Sequence, residues 1–456
     1  MTARPPSQSL AALDAAFLGL ESREVPFVHA SILCFDQPIA LDALRDHVDA
    51  ALAGVTRYRQ RIARSWRSAA RWVMDDDYRI EHHVLAIEAA APGGIRELER
   101  LAARLLEGAL PADHSPWRVW TVTGLADGRG AVISLFHHSL IDGITGFRLL
   151  EYVLGGPRVE EAPRAEPEAP PAGGRLATLR SLARWRNVGA LARLLRDGLR
   201  PASQIGLNPR HNGPSRVVAS HTVELDTMTA IARAFGATNN DVVLAAVAGA
   251  LRRYLARHGR DPSRLHDVRA MVPVGRHAKG SREAAGNRVV LLLAALPVDE
   301  PDPVARMARV TATTRRLKTG HSVAGGELLV ALSEATTPWL LVGAVRLALR
   351  FRGFNLIVTN VPGPRAGLAL LGAQLTQIVP IVNLWPHHAL GIAAASYAGT
   401  MAFGIHADRE VVPDADAFRD DLSAAFDELR ASASLAARAA SPGSPAPVRA
   451  MQATTA

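Results

Sequence analysis

Apolar residues along this chain follow two periods, and both periods occur in each half. In the first half, alternation with a period of two predicts strands, and recurrence every three to four residues predicts helices. The predicted strands span 28–35, 72–74, 117–125 and 132–136, and the predicted helices span 39–52 and 95–105. Because strands and helices are interleaved, the pattern favours α/β or α+β layers over an all-helical or all-β protein.

The second half carries the same mixture. Its first predicted strand, 217–225, precedes a long predicted helix at 240–257, for which Thr238 or Asn239 is a plausible N-cap. Further strands are predicted at 268–274, 289–296, 356–359, 392–397 and 401–406, and a final helix is predicted at 415–432. Two mixed halves predict an α/β (mixed α+β) fold, arranged as a pseudo-twofold sandwich with a cleft between the halves.

A change of composition separates the two halves. Residues 155–174 contain five prolines among Glu and Ala, which is typical of an extended linker. Residues 175–200 carry seven arginines and leucines at helical spacing. This predicts a basic amphipathic helix, which either lies on a membrane surface or docks on the protein as a crossover helix. We therefore expect lobes at 1–154 and 217–435, a linker at 155–216 and a disordered tail at 436–456.

The formal net charge of +9 favours an anionic partner, such as a membrane surface, a nucleic acid or a phosphate-bearing substrate like coenzyme A. Nucleic acid is the weakest candidate, because the arginines are dispersed and no zinc-finger or RNA-binding signature occurs. The single cysteine, Cys34, excludes an internal disulfide and fits a reducing compartment. No apolar signal core or uncharged run of transmembrane length occurs, which predicts a soluble or peripheral cytoplasmic protein.

A His-His-x-x-x-Asp-Gly motif lies where the strand at 132–136 ends and a loop begins. It consists of His137, His138, Asp142 and Gly143. A histidine can take and return a proton near neutral pH, so His138 could deprotonate a hydroxyl or amine that attacks an acyl group. Asp142 would support the loop by pairing with an arginine, and Gly143 would allow a turn or a close approach of substrate.

Coincidence is the other interpretation of this motif. The adjacent pairs His82-His83 and His387-His388 also occur, although neither has Asp-Gly four residues further on. On spacing alone, the two interpretations stay open.

Other candidate chemistry is weaker. The stretch 320–324, Gly-His-Ser-Val-Ala, fails the last position of a nucleophile elbow. Metal-ligand spacings, the dinucleotide fingerprint and the P-loop pattern are all absent from the sequence, so we expect no metal and no nucleotide cofactor.

Two turn-rich loops offer groups that could hydrogen-bond an oxyanion or a substrate amide. Their candidate substrate-binding residues are Asn287 and Arg288 in one loop and Thr359, Asn360, Pro362 and Gly363 in the other. Simple turn geometry explains the same residues, so this assignment stays open as well.

Several short motifs occur in a fixed order along nearly the whole chain. They are 12–17 (Ala-Leu-Asp-Ala-Ala-Phe), His137-His138 with Asp142-Gly143, 240–244 (Asn-Asp-Val-Val-Leu), 271–274 (Met-Val-Pro-Val), 286–288 (Gly-Asn-Arg), 360–364 (Asn-Val-Pro-Gly-Pro) and Asp408-Arg409. In this order they resemble the bacterial wax ester synthase/acyl-CoA:diacylglycerol acyltransferases, within the coenzyme-A-dependent acyltransferase superfamily.

The resemblance implies two chloramphenicol-acetyltransferase-like lobes with the active site in a tunnel at their interface. It implies that His138 is the general base, that Asp142 is mainly structural, and that Asn240 and Asp241 are structural rather than catalytic. It also implies direct transfer from acyl-CoA to a hydroxyl, without an acyl-enzyme and without a cofactor other than acyl-CoA as substrate.

We therefore expect an O-acyltransferase that moves a long-chain acyl group from acyl-CoA to diacylglycerol or a fatty alcohol. It would be cytoplasmic, or peripheral on the inner membrane face or on lipid droplets. Two alternatives remain at this stage. One is acyl or peptidyl transfer from a carrier-protein thioester, and the other is a non-catalytic protein that binds lipid droplets or membranes.

Overall fold

The computed structural model describes residues 7–10, 12–64, 70–140, 152–154, 196, 200–276, 288–319 and 338–440. The linker and the predicted basic helix at 175–200 lie outside the described residues, apart from Arg196 and Arg200. The choice between a membrane-surface helix and a crossover helix therefore stays open.

The described elements alternate between strands and helices, as the periodicity predicts. In the first half they are β1 (Gln8–Ser9), α1 (Ala12–Leu20), β2 (Val28–Phe35), α2 (Leu41–Leu52), β3 (Gln60–Ala63), β4 (Arg71–Met74), β5 (Val84–Glu88), α3 (Ile95–Leu106), β6 (Trp117–Thr123) and β7 (Gly130–His137). In the second half they are β8 (Arg216–Glu224), α4 (Leu225–Ala234), α5 (Asn239–Arg257), β9 (Val268–Arg276), β10 (Arg288–Leu296), α6 (Pro303–Thr319), α7 (Pro338–Arg350), β11 (Leu356–Val361), β12 (Ala369–Leu370), β13 (Ala373–Ile381), β14 (Leu390–Tyr397), β15 (Thr400–Asp408) and α8 (Ala415–Ala440).

Two six-stranded sheets organise these elements, and each has helices packed against it. The strand order is β12-β13-β2-β7-β6-β5 in one sheet and β10-β9-β11-β14-β15-β8 in the other. Both sheets are mixed, because β5 runs parallel to β6, and β11 runs parallel to β9 and β14. The predicted mixed α/β fold built from two sheet-containing halves is confirmed.

The second half contributes two strands to the first sheet. β13 pairs antiparallel with β2, from Leu375 opposite Phe35 to Ile381 opposite Ala30. Residues 369–381 thus belong to the first sheet, although the division predicted from sequence assigns them to the lobe at 217–435. The two halves are therefore tied together by main-chain hydrogen bonds as well as by side-chain packing.

The two sheets meet where β15 lies against β13. A Cβ atom placed on Gly404 would lie 1.8 Å from the carbonyl oxygen of Pro380. Backbone cannot yield to such a contact, so glycine is required at this position for the sheets to meet. This contact sets the distance between the sheets beside the junction of the two halves.

The core of the second half surrounds α5, whose residues from Val242 to Leu251 are almost entirely buried.

No single helix of the described residues is long and apolar enough to cross a membrane. The pair α4 and α5, bent by 93°, passes that test of length and composition together.

The final helix runs further than its periodicity predicts. Expected to end at residue 432, α8 continues to Ala440 and includes the first residues of the predicted disordered tail. Residues 433–440 are mostly alanine, with Leu435 and Arg438, which are good helix formers, and the first proline follows only at 442. Residues 441–456 lie outside the described part of the chain.

Candidate active site

The two adjacent histidines lie at the end of β7, where its pairing with β2 stops. Val28 faces His137 across the ladder, and the backbone N–H of His138 donates to the Phe27 carbonyl at 2.8 Å. Because consecutive residues of an extended chain point to opposite sides, the two imidazoles occupy different environments.

His137 is buried and held by groups of its own half. Its Nδ1 accepts hydrogen bonds from the backbone N–H and the hydroxyl of Ser139. Its Nε2 lies 3.5 Å from Oε1 of Glu21, which also pairs with Arg64. Burial alone would raise the pKa of the Glu21 carboxyl, but His137 and Arg64 lower this pKa below its ordinary value. A buried histidine that is hydrogen-bonded at Nδ1 and has Nε2 beside Glu21 is well placed to hold the loop and poorly placed to meet a substrate.

His138 is half-buried and faces the junction of the two halves. Its ring centroid lies 4.1 Å from that of Phe17 on α1 and 4.8 Å from that of His29 on β2. Phe17 belongs to an apolar group that we call the junction cluster. Its buried members are Phe17, Leu20, Val25, Phe27, Met271, Leu349, Phe354, Ile357 and Trp385. The cluster draws on both halves of the chain, so His138 borders apolar side chains to which both halves contribute.

The predicted loop residues at the end of β11 divide between two faces. Ile357 belongs to the junction cluster, whereas Leu356 and Val358 face the core around α5. By strand alternation Thr359 shares the face of Ile357, and Asn360 points to the opposite side. Of these two candidates, Thr359 is the one on the side of the junction cluster.

The other candidates have the following positions. Pro362 is exposed, and the backbone N–H of the half-buried Gly363 donates to the Ser396 hydroxyl at 3.1 Å. Arg288 begins β10 opposite Arg276. Asp142, Gly143 and Asn287 lie outside the described residues, as does the side chain of Arg288.

Asn240 and Asp241 occupy the first turn of α5, with Asn240 half-buried and Asp241 buried. Oδ2 of Asp241 accepts bonds from the backbone N–H and the hydroxyl of Thr238, each at 2.8 Å, and Oδ1 accepts from the Thr314 hydroxyl at 2.6 Å. The carboxylate thus caps α5, with Thr238 as the N-cap, and ties it to α6. These contacts are what a structural role for Asp241 requires.

Models of one protein family match most of this chain. The wax ester synthase/diacylglycerol acyltransferase catalytic domain matches residues 10–205, and the WS/DGAT C-terminal domain matches residues 285–430. The chain belongs to the wax ester synthase/diacylglycerol acyltransferase family.

Curated relatives agree with this family assignment. The protein named "Probable diacylglycerol O-acyltransferase tgs1" in Mycobacterium tuberculosis is 30% identical over 429 residues, which cover 89% of this chain and 92% of that protein. The corresponding tgs2 protein of the same organism is also 30% identical, with 88% of this chain and 94% of that protein covered. This member of the family is an acyl-CoA-dependent O-acyltransferase.

Solved structures agree on the fold. The wax ester synthase/diacylglycerol acyltransferase from Marinobacter aquaeolei VT8 has a TM-score of 0.68 at 24% identity, covering 94% of this chain and all of that one. The first condensation domain of the calcium-dependent antibiotic synthetase has a TM-score of 0.62 at 19% identity, covering 95% of this chain and 97% of that one. At these identities the likeness concerns the fold, which is the predicted two-lobed architecture.

The other adjacent histidine pairs of this acyltransferase have different surroundings. His83 and His388 are buried, and burial lowers the pKa of His83 to about 4 and that of His388 to about 3. A group with so low a pKa is a weak base near neutral pH, and a buried ring does not meet a substrate. His83 and His388 are therefore weaker candidates for the base than His138. His82 and His387 are half-buried like His138, but their pairs lack Asp-Gly four residues further on.

Among the described residues, Asp77, His82 and His114 could hold a metal ion, since each offers a ligand atom within 4.8 Å of the other two. Arg79 donates to Oδ1 of Asp77 from Nε and Nη2, at 3.2 and 3.0 Å, so this carboxylate already has a cationic partner. The three residues lie between β4 and β6 along the chain, and none of them belongs to the junction cluster. The expectation that the enzyme uses no metal stays a prediction.

Sequence reasoning missed three neighbours of the histidine pair. Phe17 stands in the first motif but was given no role, and Glu21 and His29 were not considered. The available signal was a histidine, His29, inside a mainly apolar strand. The contacts of the histidine pair with α1 and β2 could not be predicted from sequence, because these elements are far from β7 along the chain and come together only on folding.

The contacts of Asp241 lead to a stability prediction. Asp241→Ala removes the carboxylate half of the capping box at the start of α5 and leaves the buried Thr314 hydroxyl without this acceptor, so we expect the free energy of unfolding to fall by about 2–3 kcal/mol. Urea unfolding followed by circular dichroism measures this change.

Asp42→Ala is the matched control, because Asp42 also stands in the first turn of a helix but its side chain is 92% exposed beside Arg45. We expect this variant to change stability by less than about 0.5 kcal/mol. Equal effects for the two variants would contradict a structural role for Asp241.

Proposed function

We propose that the enzyme transfers a long-chain acyl group from acyl-CoA to the hydroxyl of diacylglycerol, with a fatty alcohol as a second acceptor, and that His138 is the general base of this reaction. The observation that carries this proposal is the position of its ring. His138 is the half-buried member of the pair and contacts Phe17 of the junction cluster, whereas His137 is buried and held by Ser139 and Glu21.

The reaction needs one proton to be moved twice. His138 accepts the proton of the acceptor hydroxyl while the oxygen attacks the thioester carbonyl carbon. The C–O bond of the ester forms, the C–S bond breaks, and the imidazolium returns the proton to the departing thiolate of coenzyme A. No covalent acyl-enzyme and no cofactor beyond the substrate acyl-CoA are needed. Asp142 stays a candidate for supporting the loop of the histidine pair. Thr359, on the side of the junction cluster, stays a candidate for binding substrate.

The walls beside His138 support lipid substrates. Every member of the junction cluster is aliphatic, aromatic or methionine. Surfaces of this kind favour alkyl chains over charged or sugar-like acceptors. The names of the two mycobacterial relatives support diacylglycerol as the first acceptor to test.

A lipid acceptor also indicates where the enzyme acts in the cell. Diacylglycerol and long-chain alcohols are held in membranes and lipid droplets, so we place the enzyme at the cytoplasmic surface of one of these. Acyl-CoA would then arrive from the aqueous side, where the net charge of +9 favours its phosphates.

Product analysis tests the proposed reaction. The purified full chain is given palmitoyl-CoA with equal amounts of dioleoylglycerol and hexadecanol, and the products are identified by mass spectrometry. We expect triacylglycerol, with wax ester as the smaller product. A parallel reaction supplies palmitate on a carrier-protein thioester instead. Esters formed from the carrier protein alone, or from neither donor, would overturn the proposal.

A further inference from the structure

Helix α7 has an unusual composition for a helix at the protein surface. Its sequence, Pro-Trp-Leu-Leu-Val-Gly-Ala-Val-Arg-Leu-Ala-Leu-Arg, contains no acidic residue, and its charged residues are Arg346 and Arg350. Surface helices usually carry one apolar stripe and one polar face, and helices that are apolar all round are usually buried. Yet much of α7 is exposed.

The inner face of α7 packs beside the candidate active site. Val345 and Leu349 take part in the junction cluster with Phe17, whose ring contacts His138. The guanidinium of Arg346 donates to the carbonyl of Gly19, so α7 is also tied to α1 by a hydrogen bond. One layer of side chains from α1 thus separates α7 from the histidine.

The outer face of α7 is apolar and exposed in the part of the chain that the structure describes. Leu340, Leu347 and Phe351 are 48%, 56% and 41% exposed, and Ala344 between them is exposed too. Their spacing places Leu340, Ala344 and Leu347 on one side of the helix, and Phe351 is the first residue after its end. A contiguous apolar stripe of this kind marks an interaction surface, in contrast to single exposed apolar residues, which are normal.

The length and charge of α7 indicate what covers this face. Its 13 residues span about 20 Å, which is shorter than the roughly 30 Å hydrocarbon core of a bilayer. The helix can therefore lie in the interface but cannot cross it. Arginines beside an apolar stripe, with no acidic residue, are the features of interfacial helices that bind anionic lipid surfaces.

We propose that α7 docks the enzyme on an anionic lipid surface through Leu340, Leu347 and Phe351, beside the point where a lipid acceptor enters toward His138. The entry of the acceptor rests on the proposed function, whereas the docking does not. Once docked, the exposed stripe of α7 lies against the lipid, and the inner face of α7 packs with Phe17, whose ring contacts the imidazole.

Vesicle flotation tests the docking with the full chain. The probes are vesicles of phosphatidylcholine with phosphatidylglycerol, and vesicles of phosphatidylcholine alone. We expect the wild type to float mainly with the anionic vesicles. Leu340→Glu combined with Leu347→Glu should weaken this binding at least about tenfold, because two leucines leave the lipid and two negative charges face it.

Leu435→Glu is the matched control, since Leu435 is 67% exposed on α8 and does not belong to the apolar stripe of α7. We expect this variant to float like the wild type. Equal loss in the control, or undiminished flotation of the double variant, would overturn the proposal. So would a change from dimer to monomer in the double variant without loss of flotation, which would assign the face to a second copy of the chain.

Turnover separates this proposal from the proposed reaction. With palmitoyl-CoA and a water-soluble short-chain alcohol, we expect the double variant to match the wild type. With diacylglycerol in anionic vesicles, it should be at least about tenfold slower. If the wild type turns over no acceptor at all, the proposed reaction fails while flotation still decides the docking. Equal rates of variant and wild type on vesicles would overturn the entry route.

Discussion

His138→Ala should lower kcat for acyl transfer by about 10²- to 10⁴-fold, the usual contribution of a general base, while the melting temperature stays close to that of the wild type. The imidazole is half-buried, and the hydrogen bond that anchors this residue comes from its backbone N–H to Phe27, which alanine keeps. The substitution therefore removes the proton acceptor without removing the anchor. Product formation from palmitoyl-CoA and the thermal midpoint, measured on the same preparation, check both parts.

His137→Ala serves as the matched control, because the opposite pattern is expected there. Its side chain is buried between Ser139 and Glu21, so its removal leaves a cavity and a half-buried carboxylate with one partner fewer. We expect a loss of about 2–3 kcal/mol in the free energy of unfolding. If His137→Ala abolished turnover with stability intact while His138→Ala stayed active, the assignment of the base would be wrong.

Gly404→Ala should destabilise the protein by about 3 kcal/mol or more, which is large for the addition of one methyl group. The new Cβ atom would lie 1.8 Å from the Pro380 carbonyl oxygen, a contact that requires β15 and β13 to move apart. Since β13 also pairs with β2, which directly follows the residue that anchors His138, Phe27, we expect activity to fall with stability. Urea unfolding and turnover on the purified variant measure both quantities.

Gly343→Ala is the matched control, because it is the same substitution at a site that has room for a side chain. Nothing lies within 4 Å of a Cβ atom at Gly343, which stands inside helix α7. Alanine is the better helix former, so this variant should be neutral or up to about 1 kcal/mol more stable. A Gly404→Ala variant as stable as Gly343→Ala would show that the sheets can part without cost, contrary to the close packing described above.

Elements with strong periodicity were predicted well from the sequence, and elements with weak or mixed signals were missed. Strand β2 was predicted at its observed bounds, and Thr238 was one of the two expected N-caps of α5. β13 was not predicted, because Pro380 cannot donate to a sheet ladder. The structure accommodates this proline because β12 pairs only with residues 373–374, so β13 is an edge strand at Pro380. α6 was missed because arginines and threonines interrupt its apolar stripe.

The sequence by itself determined what is local: the alternation that forms strands, the turn of the chain after His138, the capping of α5, and the ordered motifs that carry the family. Each of these depends on residues close together in the chain. The tertiary structure alone decided which histidine of the pair faces the junction cluster, that Phe17 and His29 lie against it, that 369–381 complete the first sheet, and that one face of α7 is exposed among the described residues. These outcomes depend on contacts between residues far apart in sequence. Strand alternation predicts that two neighbouring side chains lie on opposite faces, but it does not predict which face meets the other half of the protein.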